Sequence, residues 1–310
     1  MVTVLLIDAA LVGLALVVVT RARAAWRQPR SRIAWLAALL GVIALLTQGT
    51  VIPLPAMDAV LGGTNVLKLV QNVLTMVALW LGIQAGTAPA TARIRTLRWG
   101  FPLALAVLFA VVFFVAMPER GPSSFLFVET AAATSTGAWA YGVVHMSGIA
   151  LVGVFLYRSA RGSLPAARRL FRVGAAGIVL GCLSEILDLT LTRFFAPSAV
   201  VSALFDPLFY LGVVSFVIGI LVASRATAVI RRRGERLLER AESLAADRGA
   251  SVPVGPAAFV DTDTDTRLHT LRVAIEDHAI ATSTALTGEH RALLDDVDAH
   301  LTRRTTGVRA

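Results

Sequence analysis

The sequence predicts an all-α, polytopic membrane protein with seven transmembrane helices and a short helical cytosolic tail. The chain has 310 residues, of which 56% are hydrophobic and only 16% are charged. Its mean hydropathy of +0.73 is too high for an ordinary soluble domain. Seven apolar runs each approach the roughly 20 residues that cross a hydrocarbon core of about 30 Å. They lie at about 2–20, 33–52, 65–86, 100–117, 138–160, 173–192 and 207–224.

Each run is predicted to be helical because a backbone in lipid must satisfy its own hydrogen bonds. The strands of a closed barrel would alternate apolar and polar residues, and these runs do not. A signal peptide is the alternative for the first run. No positive charge precedes that run, Asp8 lies within it and no small-residue cleavage site follows it, so we expect a retained first helix.

Arginine is distributed unevenly between the loops. Thirteen arginines lie in the loops at 21–32, 87–99 and 157–172, whereas the other three loops of the predicted bundle contain two. Basic residues are concentrated in cytoplasmic loops. The pattern therefore predicts that the N-terminus lies outside and the C-terminus inside.

The charge also divides the chain into two predicted domains. Residues 1–225 form the seven-helix transmembrane domain and carry a net charge of +10, whereas residues 226–310 carry −1. The positive charge thus follows membrane topology, and we expect the lipid bilayer and no nucleic acid as a partner. The second part is predicted to be a cytosolic helical tail of two helical regions, 231–248 and 267–304, joined by a linker at 249–256 and with a break near Gly288. Such a hairpin is suited to a cytosolic protein partner or to homo-oligomerisation.

Polar and ionisable residues lie inside several of the apolar runs. Such residues are costly in a membrane, so each is a candidate functional residue. With a rise of about 1.5 Å per residue, they fall at one level in the outer halves of five helices, while the inner halves are almost wholly apolar. This asymmetry predicts an outward-facing polar cavity, although polar contacts between helices and snorkelling to the headgroups are the structural alternatives. The candidate ligand-binding residues are Asp8, Gln48, Lys68, Gln71, Asn72, His145, Glu185 and Asp188.

Lys68 is the only lysine of the chain. An isolated charge in lipid must be paired or neutralised, so we expect an ion pair between Lys68 and Glu185 or Asp188. Three acids, Asp8, Glu185 and Asp188, against one lysine give the expected cavity a net negative charge. That sign favours a small polar or cationic ligand.

Enzyme chemistry is not expected. A membrane b-type haem would need paired histidines, and His145 is the only histidine within a run. One histidine with Glu185 and Asp188 would make only a weak zinc site, and no hydrolase or phosphate-binding motif occurs in a suitable place. We therefore expect no cofactor, no metal and no catalytic residues.

Two short segments resemble a known family. The segment Leu61-Gly62-Gly63-Thr64-Asn65-Val66-Leu67, which runs into the third apolar run, is similar to the corresponding segment of an actinobacterial family of seven-helix membrane proteins of unknown function, often labelled transporters. The tail segment Leu271-Arg272-Val273-Ala274-Ile275-Glu276-Asp277 is similar to a stretch of the same family, with a one-residue difference in spacing. The resemblance implies a multi-pass protein of the bacterial cytoplasmic membrane and no established catalytic residues.

These observations favour a receptor-like or sensory membrane protein that binds its ligand in the outer cavity and signals through the tail. A secondary transporter that uses Glu185 or Asp188 as a proton carrier is the first alternative. A membrane scaffold that holds a cytosolic partner through its tail is the second. Composition and spacing do not separate the three.

Overall fold

The computed structural model describes residues 2–27, 29–49, 51–86, 92–117, 119–160, 165–250 and 264–309. Within these ranges every regular element is a helix, which confirms the predicted all-α fold. The helices are α1 Val2–Arg27, α2 Pro29–Leu46, α3 Leu54–Ala59, α4 Val66–Gly86, α5 Ala92–Ala116, α6 Phe127–Ala132, α7 Thr136–Ser159, α8 Pro165–Phe194, α9 Ala199–Ser202, α10 Phe205–Arg248, α11 Thr264–Ala281 and α12 Gly288–Arg309.

Six helices in the described ranges are long and apolar enough to cross a membrane: α1, α4, α5, α7, α8 and α10. They correspond to six of the seven predicted spans, and the multi-pass architecture is supported to that extent. The second predicted span, 33–52, corresponds to α2, which counts as a shorter apolar helix over Ser31–Leu46. The predicted span extended further because residues 47–52 carry no charge, whereas the helix ends at Leu46.

The chain divides into two compact units, Met1–Leu221 and Val222–Ala310. This boundary lies close to the one predicted at residue 225. The first unit has an apolar core in which aromatic residues are prominent, with Phe109, Phe113 and Tyr141 fully buried. Neighbouring helices in this unit pack as α1 with α2, α2 with α4, α4 with α7, and α7 with α8. The site described below lies entirely within this unit.

Glycine brings the backbones of α8 and α10 into contact. A Cβ added at Gly212 would lie 2.7 Å from the carbonyl oxygen of Gly174, and one added at Gly177 would lie 2.9 Å from the carbonyl oxygen of Leu208. A Cβ at Gly181 would lie 2.9 Å from the backbone nitrogen of Phe209. Small residues permit this close approach, which is the common means of packing helices in lipid. The glycines thereby fix α8, which carries Glu185, against α10, which carries Asp206.

The second unit is a small helical bundle built from the end of α10, α11 and α12. Its core contains Leu237 and Ala241 of α10, Leu268 and Ile275 of α11, and Val297 of α12, together with neighbouring apolar residues. The predicted break is present, because α11 ends at Ala281 and α12 begins at Gly288. Of the predicted linker at 249–256, only residues 249 and 250 lie within the described part of the chain.

Surface ion pairs join the helices of this tail bundle. Arg233 of α10 pairs with Asp296 of α12 at 2.8 Å, and Arg272 of α11 pairs with Asp298 of α12 at 2.8 Å. Arg267 of α11 also pairs with Glu242 of α10. Exposed pairs of this kind contribute little stability individually. Their distribution over all three helices nevertheless favours one arrangement of the bundle.

Candidate functional site

The polar residues of the first unit gather at one end of its bundle, which we call the acidic end. It comprises the starts of α1, α4, α7 and α10, the ends of α2, α5 and α8, and the segments that join them. Three hydrogen bonds tie these ends together: Thr3 Oγ1 donates to Asp206 Oδ2 at 3.1 Å, Tyr210 Oη donates to Gln48 Oε1 at 2.9 Å, and Trp139 Nε1 donates to Thr190 Oγ1 at 3.2 Å. These bonds link α1 with α10, α10 with the end of α2, and α7 with α8.

Asp58 and Asn65 organise the loops of the acidic end. The fully buried Asp58 carboxylate accepts hydrogen bonds from the backbone nitrogens of Asn65 at 2.6 Å and Leu67 at 2.7 Å, and from the hydroxyl of Ser123. Asn65 Nδ2 in turn donates to the carbonyl oxygens of Arg120 at 2.9 Å and Pro122 at 3.0 Å. Asn65 has a positive φ of 61°, a conformation that Asn tolerates better than most residues. We call this group of contacts the Asp58 clamp. It supplies acceptors for backbone N–H groups at the start of α4 and holds residues 120–123 against that helix.

Lys68 does not form the predicted ion pair. Among the residues that the structure describes, no carboxylate oxygen lies within 4.0 Å of its ammonium. Lys68 Nζ instead donates to the carbonyl oxygen of Phe125 at 3.3 Å and lies 4.8 Å from the centre of the Phe125 ring. The prediction was wrong because the clamped loop brings a carbonyl and an aromatic face to the lysine, and both attract an ammonium.

Three acids nevertheless interact with Lys68, and a fourth interacts with two of them. The ammonium interacts at longer range with Glu129, Glu185 and Asp206. Glu129 interacts in addition with Asp188 and Asp206, and Glu185 with the other three acids. Glu185 is 5% exposed and has no ion-pair partner in the described part of the chain. We call Glu129, Glu185, Asp188 and Asp206 the acid cluster.

Glu129 lies on the short helix α6, outside the long apolar helices. Burial raises the pKa of its carboxyl above the ordinary value of 4.5, and the nearby Lys68 ammonium opposes that rise. Its Oε2 atom is buried without a hydrogen-bond partner among the described residues. The charged form of Glu129 is therefore poorly compensated by the protein.

A buried polar and aromatic group lies beside the acid cluster. Asn72 Nδ2 of α4 donates to Tyr141 Oη of α7 at 2.8 Å, and the Tyr141 ring is nearly parallel to the His145 ring at 6.3 Å between centres. Phe109 meets His145 edge to face at 5.3 Å. Within the described residues, His145 Nε2, Gln71 Oε1 and Asp188 Oδ1 are buried without a hydrogen-bond partner. Buried polar atoms of this kind are costly unless a partner satisfies them.

Asp8 and Gln48 differ in their positions. Asp8 is exposed and is not enclosed with the other candidate residues, and its role in ligand binding stays a prediction. The buried stripe of α1 includes Ile7, Ala10 and Val17, and one residue of helix turns Asp8 about 100° away from Ile7. Gln48 is half-buried and bound to Tyr210, and it is one of the residues that line a cleft.

That cleft is apolar, unlike the polar cavity that the sequence predicted. It has a volume of about 70 Å³ and lies between α1, α2, α4 and α10. Gln48 and Thr75 are its polar lining residues, and alkyl or aromatic side chains and glycine form the remainder. The structure therefore shows, beside the acid cluster, an apolar cleft that the sequence did not predict.

Sequence reasoning missed Asp58, Glu129 and Asp206 because it looked for polar residues within the spans. All three lie in or next to the loops that are poor in arginine. A signal was present in the sequence: every acid in the predicted loops of residues 1–225 lies on that side, and the arginine-rich loops contain none.

Metal ligation receives no support from the described residues, in which no group of three or more histidine, cysteine, aspartate or glutamate side chains is placed to hold an ion. Comparison of the chain with protein-family models, with curated proteins and with solved structures found no match. The resemblance to the actinobacterial seven-helix family therefore stays a prediction.

Proposed function

We propose that this chain is a receptor-like integral membrane protein that binds a small organic cation at the acidic end and signals through its helical tail. The acid cluster is the observation that carries this proposal. Three of its four carboxyl groups interact with the single ammonium of Lys68, and that ammonium is bound to a carbonyl and a ring of Phe125. A cationic ligand would supply the missing positive charge.

An amine suits this site better than a metal ion. Lys68 is itself an ammonium, and its contacts with Phe125 are those that an aromatic residue offers to an amine. Removing a carboxylate from water is costly unless a counter-charge accompanies it, so the buried Glu185 gains most from a bound cation. His145, Gln71 and Asp188 contribute unsatisfied polar atoms that an N–H donor or a bound water would satisfy.

The proposed orientation places the acidic end outside the cytoplasmic membrane. The uneven arginine distribution supports it, since the arginine-rich loops belong to the opposite end. In this proposal α2 is the seventh span: its 18 residues correspond to about 27 Å at 1.5 Å per residue, close to the hydrocarbon thickness of about 30 Å. The ligand would then arrive from the exterior.

Helix α10 is the proposed link between ligand and tail. It contributes Asp206 to the acid cluster and Leu237 and Ala241 to the core of the tail bundle. Charge compensation at Asp206 therefore acts on the same helix that organises the second unit. The tail would report ligand binding to a cytosolic partner or to a second copy of the chain.

The direct test is cation binding to the purified protein, measured by calorimetry and thermal shift with methylammonium as the probe. We expect Glu185→Gln to abolish the binding heat and the stabilisation. Glu119→Gln is the matched control because Glu119 is an exposed acid of the same end, and it should bind as the wild type does. Loss of binding in both variants, or in neither, would contradict a site at the acid cluster.

A proton-coupled transporter is the second candidate, and the burial of Glu185 without an ion-pair partner favours it. Uptake of labelled methylammonium into proteoliposomes separates the two functions. Uptake that depends on Glu185 and survives deletion of residues 249–310 supports the transporter. Binding without uptake supports the receptor.

A further inference from the structure

One face of α10 connects the acid cluster with the apolar cleft. Asp206 lies in the first turn of the helix, and Phe209, Val213, Phe216, Val217 and Ile220 follow it at intervals of three or four residues. Residues with this spacing share a helix face. These five apolar residues all line the cleft. The Asp206 carboxylate therefore lies at the N-terminal end of the α10 face that forms one wall of the cleft.

Hydrogen bonds hold the top of the cleft next to that carboxylate. Tyr210, one turn after Asp206, donates its hydroxyl to Gln48, which lines the cleft. Asp206 itself accepts a hydrogen bond from Thr3 of α1, and α1 contributes Leu14 to the lining. The cleft thus begins about one helical turn from a member of the acid cluster.

Small residues of α2 leave the space on the opposite wall. Ala37, Ala38, Gly41 and Ala44 line the cleft there. A Cβ added at Gly41 would lie 3.0 Å from Leu14 Cδ1, so the wall is already in contact with α1 at that point. The space is narrow and apolar, which suits one hydrocarbon chain better than a branched or polar group.

We propose that the ligand is an amphiphilic cation, a single-chain alkylamine, whose ammonium binds at the acid cluster and whose first methylene groups occupy the cleft. This inference rests on the proposed function, because it uses the same acid cluster for the head group. A neutral hydrocarbon fits the cleft but leaves the negative charge of the carboxylates uncompensated. An alkylamine places its chain in the cleft and its positive charge beside the carboxylates, so charge favours the amine. Adjacent apolar and acidic surfaces along one helix face match the two ends of such a molecule.

The test compares three probes on the full-length protein in lipid nanodiscs: methylammonium, octylammonium and octanol. Octylammonium shares its head group with methylammonium and its chain length with octanol, so octanol controls for partition into lipid. For the wild type we expect octylammonium to bind at least about tenfold more tightly than methylammonium, since a buried methylene is worth about fourfold in affinity. Octanol should show no binding that depends on Glu185.

Ala44→Leu narrows the cleft without touching the acid cluster. We expect it to remove the advantage of octylammonium while methylammonium binds as it does to the wild type, which also shows that the variant is folded. Val213→Phe is the second cleft-filling variant and should act in the same way. Ala34→Leu is the matched control, because Ala34 lies on α2, is half-buried and does not line the cleft.

The possible failures are distinguishable. If octylammonium and methylammonium bind the wild type equally, or if Ala44→Leu lowers both affinities alike, the alkylamine inference is overturned. The proposed function then still stands, provided that Glu185→Gln abolishes methylammonium binding. If octanol binds as tightly as octylammonium and independently of Glu185, the cleft holds a lipid chain and the inference is again overturned. If neither amine binds, the proposed function falls with it.

Discussion

The ammonium of Lys68 and the aromatic ring of Phe125 lie 4.8 Å apart, and the same ammonium donates to the Phe125 carbonyl oxygen at 3.3 Å. The only lysine of the chain is thus bound by uncharged groups, while three carboxyl groups, those of Glu129, Glu185 and Asp206, interact with it at longer range. Phe125 belongs to the loop that the Asp58 clamp fastens over α4. The contact shows that the carbonyl and the ring of Phe125 accept the lysine ammonium of α4.

Lys68→Met should strengthen the binding of methylammonium. The substitution removes a like charge from the environment of the ligand and vacates the contact with Phe125, and a charge at this range is worth on the order of tenfold in affinity. Lys68→Arg keeps the charge and is the matched control, with affinity close to that of the wild type. Calorimetric titration of the three proteins gives the comparison, and a weaker affinity in Lys68→Met would show that the lysine supports the site.

Asp58→Ala should destabilise the first unit by about 3 kcal/mol, because it leaves the buried N–H groups of Asn65 and Leu67 without an acceptor. Ser123→Ala removes only one donor to the same carboxylate and should cost less. Asp8→Ala is the control, since the exposed Asp8 belongs to no such network, and it should unfold as the wild type does. Denaturant titration in mixed micelles measures all three, and equal stability of Asp58→Ala and Asp8→Ala would contradict the clamp.

The sequence could predict the helices but not the neighbours of their polar side chains. Length and hydropathy determine whether a helix can cross a membrane, and the described part of the chain contains six such helices. Contacts of Lys68 depend on a loop 57 residues away in sequence, which no helical spacing describes. The exposure of Asp8 was not predicted, because hydropathy alone does not reveal which face of an almost wholly apolar helix is buried. Glu129 and Asp206 were overlooked because they lie at the ends of elements whose bounds only the fold defines.

Gly212→Ala should destabilise the first unit by about 1 to 3 kcal/mol through overpacking. Its new Cβ would lie 2.7 Å from the carbonyl oxygen of Gly174 and 2.7 Å from the nitrogen of Ile178, and backbone atoms cannot move aside as a side chain does. Gly100→Ala is the control: no atom lies within 4 Å of its added Cβ, and alanine is the better helix former by up to about 1 kcal/mol. Thermal unfolding should therefore shift in opposite directions in the two variants.

Glu129 should make the folded state less stable as the pH rises. Its pKa is raised by burial, so the stability that it contributes is fully present below its unfolded-state pKa and is lost as the pH rises through the folded-state pKa. Glu129→Gln should remove this part of the pH dependence and be the more stable protein at neutral pH. Thermal midpoints measured from about pH 4, near the ordinary Glu pKa, to about pH 8 and compared with those of Glu119→Gln give the size of the effect. A steeper loss of stability in Glu129→Gln would contradict the assignment.

Leu268→Ala should loosen the tail bundle as a unit, because Leu268 is fully buried between its helices and such truncations cost about 2 to 5 kcal/mol. Ile280→Ala on the same helix should change stability by less than about 0.5 kcal/mol, since the Ile280 side chain is 77% exposed. Hydrogen exchange should then accelerate across α11 and α12 in the first variant only. Acceleration confined to the turn around residue 268 would show that the three helices do not unfold together.

The Asp58 clamp has a consequence for the order in which the chain assembles. Its carboxylate binds a serine 65 residues further along, so this contact closes only after α4 and α5 have been inserted side by side. Asn65 imposes the same requirement through its bonds to residues 120 and 122. We therefore expect these loops to close late in assembly, and the onset of hydrogen-exchange protection at the Asn65 and Leu67 amides would report that step.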